Sequence, residues 1–305
     1  MANFIQRLST QQQALLGAGF AALAAIGFSA KAIMVKLAYV EPIDALTLLT
    51  LRMAFSAPIF LAIALWSGRQ AHRVALTQKD WLAVLVLGLI GYYLSSLLDF
   101  TGLQYVSAGL ERLILFLYPT MVVLLSAVLF KQRIGRRAMS ALLMSYAGIA
   151  LVYLQDAQRG DAQVALGASL VFVSTLTYSL YLVGAGHFIA RIGTIRFTAY
   201  AMCVASMATL LQFGFTHPLA ALNVSPRLYA LGFGMAVLST VLPVFMLSAG
   251  MRLIGSGRTA MIGSLGPVST ILLAHWILGE TLSMPQIAGS TLVLAGVLVI
   301  SRAKA

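Results

Sequence analysis

Apolar runs of one recurring length alternate along the chain with short polar interruptions. Ten runs lie near 14 to 36, 45 to 67, 81 to 100, 107 to 130, 138 to 154, 166 to 187, 197 to 216, 228 to 250, 257 to 278 and 286 to 301. A helix rising about 1.5 Å per residue needs roughly twenty such residues to cross the hydrocarbon layer. The pattern therefore predicts an all-α integral membrane protein with ten transmembrane helices. The fifth and last runs are the shortest, so their ends are the least defined. "SAKA" at 29 to 32 has the A-x-A form of a signal-peptide end, but its run is long and has a counterpart later in the chain, so it reads as the first span.

Basic residues fall on alternate sides of these runs. With a cytoplasmic amino terminus, the inner side receives Arg7; Arg69, Arg73 and Lys79; Lys131, Arg133, Arg136 and Arg137; Arg191 and Arg196; Arg252 and Arg258; and Arg302 with Lys304. The outer side receives Arg159 and Arg227. Fourteen against two is the asymmetry of the positive-inside rule, and it places both termini in the cytoplasm. An odd number of spans would scramble it.

The runs also repeat. "GLQYVSAG" at 102 to 109 resembles "GMRLIGSG" at 250 to 257, Pro119 matches Pro267, and "AGIALV" at 147 to 152 matches "AGVLVI" at 295 to 300, all at an offset of 148 residues. The chain thus divides into a first repeat at 1–154 and a second at 155–305. Five is odd, so the second unit enters the membrane inverted, as in many secondary carriers.

Composition fixes the solvent. Hydrophobic residues make up 60% of the chain and charged ones 9%, too few to cover a soluble globule. The net charge of +12 does not mark nucleic-acid binding, because its basic residues sit between spans. The single Cys203 excludes an internal disulfide.

Particular stretches carry a family likeness. "ILGETLSMPQIAGSTLVLAGVLVIS" at 277 to 301, with Gly279-Glu280 and the Gly289 and Gly296 spacing, resembles the end of an EamA domain of the drug/metabolite transporter superfamily. "GLQYVSAGLERLILFLYPTMVVLLSAVLF" at 102 to 130 resembles the matching part of a first domain. The first half departs where Lys131-Gln132 replaces Gly279-Glu280, so no role of that glutamate transfers to Gln132. The likeness implies a secondary active transporter exporting small organic metabolites such as amino acids by alternating access. The expected protein is a multi-pass protein of a bacterial-type inner membrane, a monomer or homodimer, with a small-molecule substrate and the lipid bilayer as partners.

Five charged residues of the first four runs share a layer. Lys31, Arg52, Asp99, Glu111 and Arg112 all fall in the outer third of the membrane by the rise per residue. An isolated charge at a helix centre costs about 2.5 to 3.5 kcal/mol on insertion scales. Mutual pairing of Arg52 and Arg112 with Asp99 and Glu111 is the economical reading, and it leaves Lys31 as the unmatched cation. Such a layer is either helix glue or an outer gate, with Glu111 or Asp99 as candidate proton-coupling groups and Lys31 offered to an anionic group.

Polar stripes run at mid-depth. Tyr92, Ser95, Ser96 and Asp99 share one helical face; Ser174, Tyr178 and Tyr181 share another; Tyr118 falls on the face of Glu111. Ser239, Thr240 and Pro243 lie on the eighth run, and Thr259, Gly263, Gly266 and Thr270 on the ninth. Serines and threonines at such places often serve helix packing alone. The tyrosines are far from the interfacial belts, so as a set they predict an aromatic-lined cavity. The candidate substrate-binding residues are Tyr92, Ser96, Tyr118, Tyr178, Tyr181, Ser239, Gly266 and Lys31. Pro119 and Pro267 are candidate bending points.

Enzyme motifs are missing where chemistry would need them. His72, His187, His217 and His275 are scattered, no metal spacing or Walker pattern occurs, and no cofactor is expected. The competing class is a membrane-embedded enzyme or lipid-handling protein using the outer charged layer, and a passive channel is a third. Product formation, solute counterflow and unsaturable flux separate the three.

Overall fold

The structure, a computed structural model, describes residues 10–70, 75–131, 135–157 and 163–303. Arg7, His72, Arg73, Gln132, Arg133, Arg159, Asp161 and Lys304, named above, lie outside the described residues. The regular elements described are all helical. They are α1 (Thr10–Ala38), α2 (Ala45–Gln70), α3 (Gln78–Gly88), α4 (Ser95–Gly102), α5 (Ala108–Leu115), α6 (Tyr118–Leu129) and α7 (Arg136–Ala157). There follow α8 (Val164–Ile192), α9 (Thr194–Thr216), α10 (Pro226–Ala236), α11 (Leu242–Gly263), α12 (Leu265–Leu273) and α13 (Met284–Ala303). Seven helices among the described residues are long and apolar enough to cross a membrane. Three shorter apolar helices, Met139–Gln155, Leu265–Leu278 and Met284–Val299, lie where the sequence pattern puts the fifth, ninth and tenth runs. The chain is a multi-pass membrane protein.

Local chemistry sets where the helices begin. Asp44 accepts from the backbone N–H groups of Leu46 and Thr47, both at 2.9 Å, and so caps α2. Its partial burial alone would raise its pKa, but the hydrogen bonds from Thr47 and Leu46 and the nearby His217 together outweigh that and hold it below the ordinary carboxylate value. Thr77 and Asp80 form a reciprocal capping box on α3. Ser107 caps α5 by accepting from Leu110 N–H at 3.1 Å, and Ser225 caps α10 in the same way.

Interruptions of the helices recur at one spacing. A π-helical segment at Leu89–Leu94 joins α3 to α4, and another at Val237–Val241 joins α10 to α11. The chain leaves helical geometry at Ser107 (ψ 154°) and again at Gly255 (φ 80°, ψ 161°), which splits α11. It breaks at Phe116 and Leu117 between α5 and α6, and at Ser264 between α11 and α12. Pro119 and Pro267 each follow one of these breaks, near the start of α6 and α12. Lys131 stands at φ 52° and Gly279 at φ 69°. Each first-half feature precedes its counterpart by 148 residues, the offset of the sequence repeat.

Packing couples early helices to late ones. α1 lies along α11, α2 along α9, α4 along α8 and α7 along α13. Small residues allow the closest approaches. A Cβ at Gly148 would collide with the carbonyl oxygen of Gly289, and one at Gly289 with that of Gly148, so α7 and α13 touch backbone to backbone.

Candidate functional site

Lys31 projects from α1 between two acids. It hydrogen-bonds Asp99 Oδ2 on α4 and forms an ion pair with Glu111 Oε1 on α5 at 2.9 Å. Glu111 is fully buried and Asp99 nearly so. This arrangement corrects the pairing expected from the sequence. Arg52 and Arg112 form no ion pair with any described residue, and Lys31, expected to be unmatched, takes both carboxylates. The reason is lateral position: α1 packs against α5 and α12, which brings Lys31 to the acids.

The arginines are held by weaker contacts. Arg52 Nη2 donates to Ser96 Oγ at 2.9 Å, and its guanidinium lies over the Phe100 ring, 4.7 Å from the centroid. Arg112 makes no hydrogen bond to a described residue. It occupies space that exists because residue 266 is glycine; a Cβ there would lie 2.5 Å from Arg112 Nη2.

Below this layer the aromatic side chains cluster. Tyr178 stacks on Tyr181 at 5.7 Å, Tyr92 meets Tyr181 edge-on at 4.9 Å, and Tyr118 meets Tyr178 edge-on at 6.0 Å. The Tyr92 and Tyr181 hydroxyls are 3.1 Å apart. Between this cluster and the charges is a cavity of about 300 Å³. Its walls include Lys31, Arg52, Tyr92, Ser96, Asp99, Arg112, Tyr118 and Tyr178 from α1 to α8, and Ser239, Thr240 and Gly263 from the later helices.

Comparison with known proteins places this architecture. The model of the EamA-like transporter family matches twice, at residues 15–154 and 165–302. The chain belongs to the EamA-like transporter family. Its relatives include the uncharacterized transporter YcbK of Bacillus subtilis (strain 168), 31% identical over 285 residues and covering 91% of this chain and 90% of YcbK. The uncharacterized inner membrane transporter YicL of Salmonella typhimurium is 23% identical, covering 82% of this chain and 83% of its own. One solved crystal structure shares the fold at TM-score 0.64 and 18% identity, across 96% of this chain and 98% of that one.

In this EamA-like chain the Gly279-Glu280 pair has a visible local role. Gly279 takes the left-handed turn after a π-helical segment at Ala274–Leu278. Glu280 then reaches the start of α5, accepting from the backbone N–H of Ala108 at 2.9 Å and of Gly109 at 3.4 Å. A carboxylate at a helix N-terminus is stabilising, so Glu280 positions the helix that carries Glu111 and Arg112. His275 Nδ1 lies 2.9 Å from the Glu280 carbonyl oxygen.

Three of the candidate binding and gating residues sit behind the wall and not on it. Tyr181 backs Tyr178, Glu111 backs Lys31, and Gly266 backs Arg112, while its carbonyl accepts from Ser29 Oγ at 2.8 Å. Ser95 and Ser174 line the cavity but satisfy one another, with hydroxyls 3.1 Å apart and Ser174 donating to the Ser95 carbonyl at 2.7 Å. Much of the remaining wall is apolar: Ala21, Ala25, Phe28, Leu115, Phe116 and Leu247. These escaped sequence reading, since an apolar residue facing a cavity and one facing lipid look alike.

Proposed function

We propose that this EamA-like transporter is a secondary carrier, an exporter of small organic metabolites in a bacterial-type inner membrane, built as two inverted five-helix units at 1–154 and 155–305. The observation that carries the reading is the cavity of about 300 Å³, whose walls come from both halves of the chain. The paired helix interruptions support it. Broken helices at corresponding places in two repeats mark solute sites in carriers, because irregular backbone is tolerated at membrane depth where it lines a cavity. Alternating access then amounts to rocking one unit against the other. The acids gripped by Lys31 support a proton-coupled step, since protonating either one would weaken its hold on a helix other than its own.

Counterflow in liposomes tests the reading. Purified protein should exchange a labelled solute without changing it chemically; product formation would identify an enzyme, and unsaturable flux a channel. Tyr92→Ala, Tyr118→Ala and Tyr178→Ala should insert normally and weaken solute binding several-fold, since each removes aromatic contact area worth about 0.5–1.5 kcal/mol beyond simple burial. Transport at parental rates in all three would reduce the aromatic cluster to packing.

The inverted topology makes a separate prediction. A reporter fused after Arg136 should read cytoplasmic and one after Asp161 external, because four basic residues flank the first position and acids the second. The opposite pattern would place the charged layer at the inner face.

A further inference from the structure

The cavity wall and the Lys31 pairs hold three cations, Lys31, Arg52 and Arg112, and two carboxylates, Asp99 and Glu111, while the nearby Glu280 carboxylate is not on the wall and is taken by the first N–H groups of α5. Lys31 engages both carboxylates, so the surplus positive charge resides on the two guanidiniums. The Nε–H of Arg52 and that of Arg112 are each buried without an acceptor among the described residues. Both arginines line the cavity, and Arg52 is only 6% exposed. An unpaired cation in a low-dielectric layer is costly, and an anion arriving in the cavity relieves that cost.

We propose that the cavity is a site for an organic monoanion, its single carboxylate held by Arg112 and Arg52 and its apolar body lying against Tyr118, Tyr178 and Phe116. The proposal rests on the carrier reading and names the class of cargo. Each part has a physical reason. The planar guanidinium fork matches a carboxylate with paired N–H···O bonds. One negative charge brings the layer to neutrality, whereas a dianion overshoots and a zwitterion leaves the surplus in place. A primary amine could be accepted by Asp99 Oδ1, which lines the cavity without a hydrogen-bond partner among the described residues, but it would add to the positive surplus and leave both guanidiniums unpaired. An apolar body follows from the aliphatic and aromatic residues that make up much of the wall.

A matched series tests the assignment: 3-phenylpropionate, its amide, 3-phenylpropylamine and phenylalanine, with binding read by calorimetry and by thermal shift of the full chain in detergent. The acid should bind and raise the melting temperature. The other three should bind about tenfold more weakly or not at all: the amide and the amine have no carboxylate for charge-assisted bonds, and the ammonium of phenylalanine adds back the positive charge that its carboxylate offsets. Arg112→Gln should fold at least as stably as the parent, because it removes an unpaired charge, yet bind the acid about tenfold more weakly. Gly266→Ala, which pushes only the flexible end of Arg112, should reproduce the binding loss without unfolding.

Equal binding of the amide, amine or zwitterion would overturn the proposal. So would retention of parental affinity in Arg112→Gln, or failure of the acid to bind. Counterflow of the same four compounds separates this proposal from the carrier reading. Exchange of the amine in place of the acid keeps the carrier and discards the anion site; tight binding of the acid without exchange keeps the site and discards the carrier.

Discussion

Lys31→Met should be the most damaging single substitution in the charged layer, lowering stability by about 3–5 kcal/mol, the range for breaking a buried ion pair by removing one partner. The substitution leaves Asp99 and Glu111 buried without the cation that holds both. Methionine keeps the length and packing of the stem, so the loss reports charge and not a cavity. The triple variant Lys31→Met/Asp99→Asn/Glu111→Gln should recover most of it, because removing all the charges of a buried cluster costs far less than stranding some of them. The unfolding free energies of the purified variants in detergent check this through a mutant cycle. A loss under about 1 kcal/mol for Lys31→Met would mean that water reaches the acids and that the triad is not a coupled unit. The contrast with Arg112→Gln matters as much as the magnitude: in one layer, one cation is structural and another is left to a ligand.

That division was only half legible in the sequence. Rise per residue gives each charge a depth, and four of the five, Lys31, Arg52, Asp99 and Arg112, line one cavity, with Glu111 behind Lys31. Depth carries no azimuth, however. Glu111 and Arg112 point about 100° apart on α5, and which neighbour each meets depends on how α1, α4 and α5 turn toward one another. Pairing Arg52 and Arg112 with the acids was the least costly arrangement for charges free to choose partners. Packing of α1 against α5 removed that choice and gave both acids to Lys31.

The fold was more legible, because it rests on periodicities that survive without tertiary information. Apolar run lengths located the seven helices long enough to cross a membrane and the three shorter apolar ones, and the offset of 148 residues, visible first in short motifs, reappears as paired π-helical segments, helix breaks and positive-φ turns. Only the chemistry of the turns differs: glycine takes the left-handed position at 279, while Lys131 takes it at 131 in spite of its Cβ. Pro119 and Pro267, the candidate bending points, each follow a break, where a missing N–H leaves no intrahelical bond to lose.

Gly148→Ala should destabilise the protein by about 1–3 kcal/mol, the usual cost of overpacking, while leaving affinity for a cavity ligand unchanged. The added methyl would strike the backbone carbonyl of Gly289, and a backbone atom cannot rotate aside as a side chain can. Relief requires α7 and α13 to separate, which also disturbs the approach of Gly296 to Ser145 and the Ala141 carbonyl along the same seam. Gly214→Ala is the control: its Cβ would meet nothing within 4 Å, and alanine is the better helix former, so stability should hold or rise slightly. None of the described cavity-lining residues lies on α7 or α13, so this helix pair should act as a scaffold beside the moving parts. Melting temperature and ligand affinity, measured on the same samples, decide the point. Loss of stability with parental affinity is the scaffold result. A parallel loss of affinity would show instead that the α7–α13 seam is coupled to the cavity, and that rocking of one half against the other passes through it.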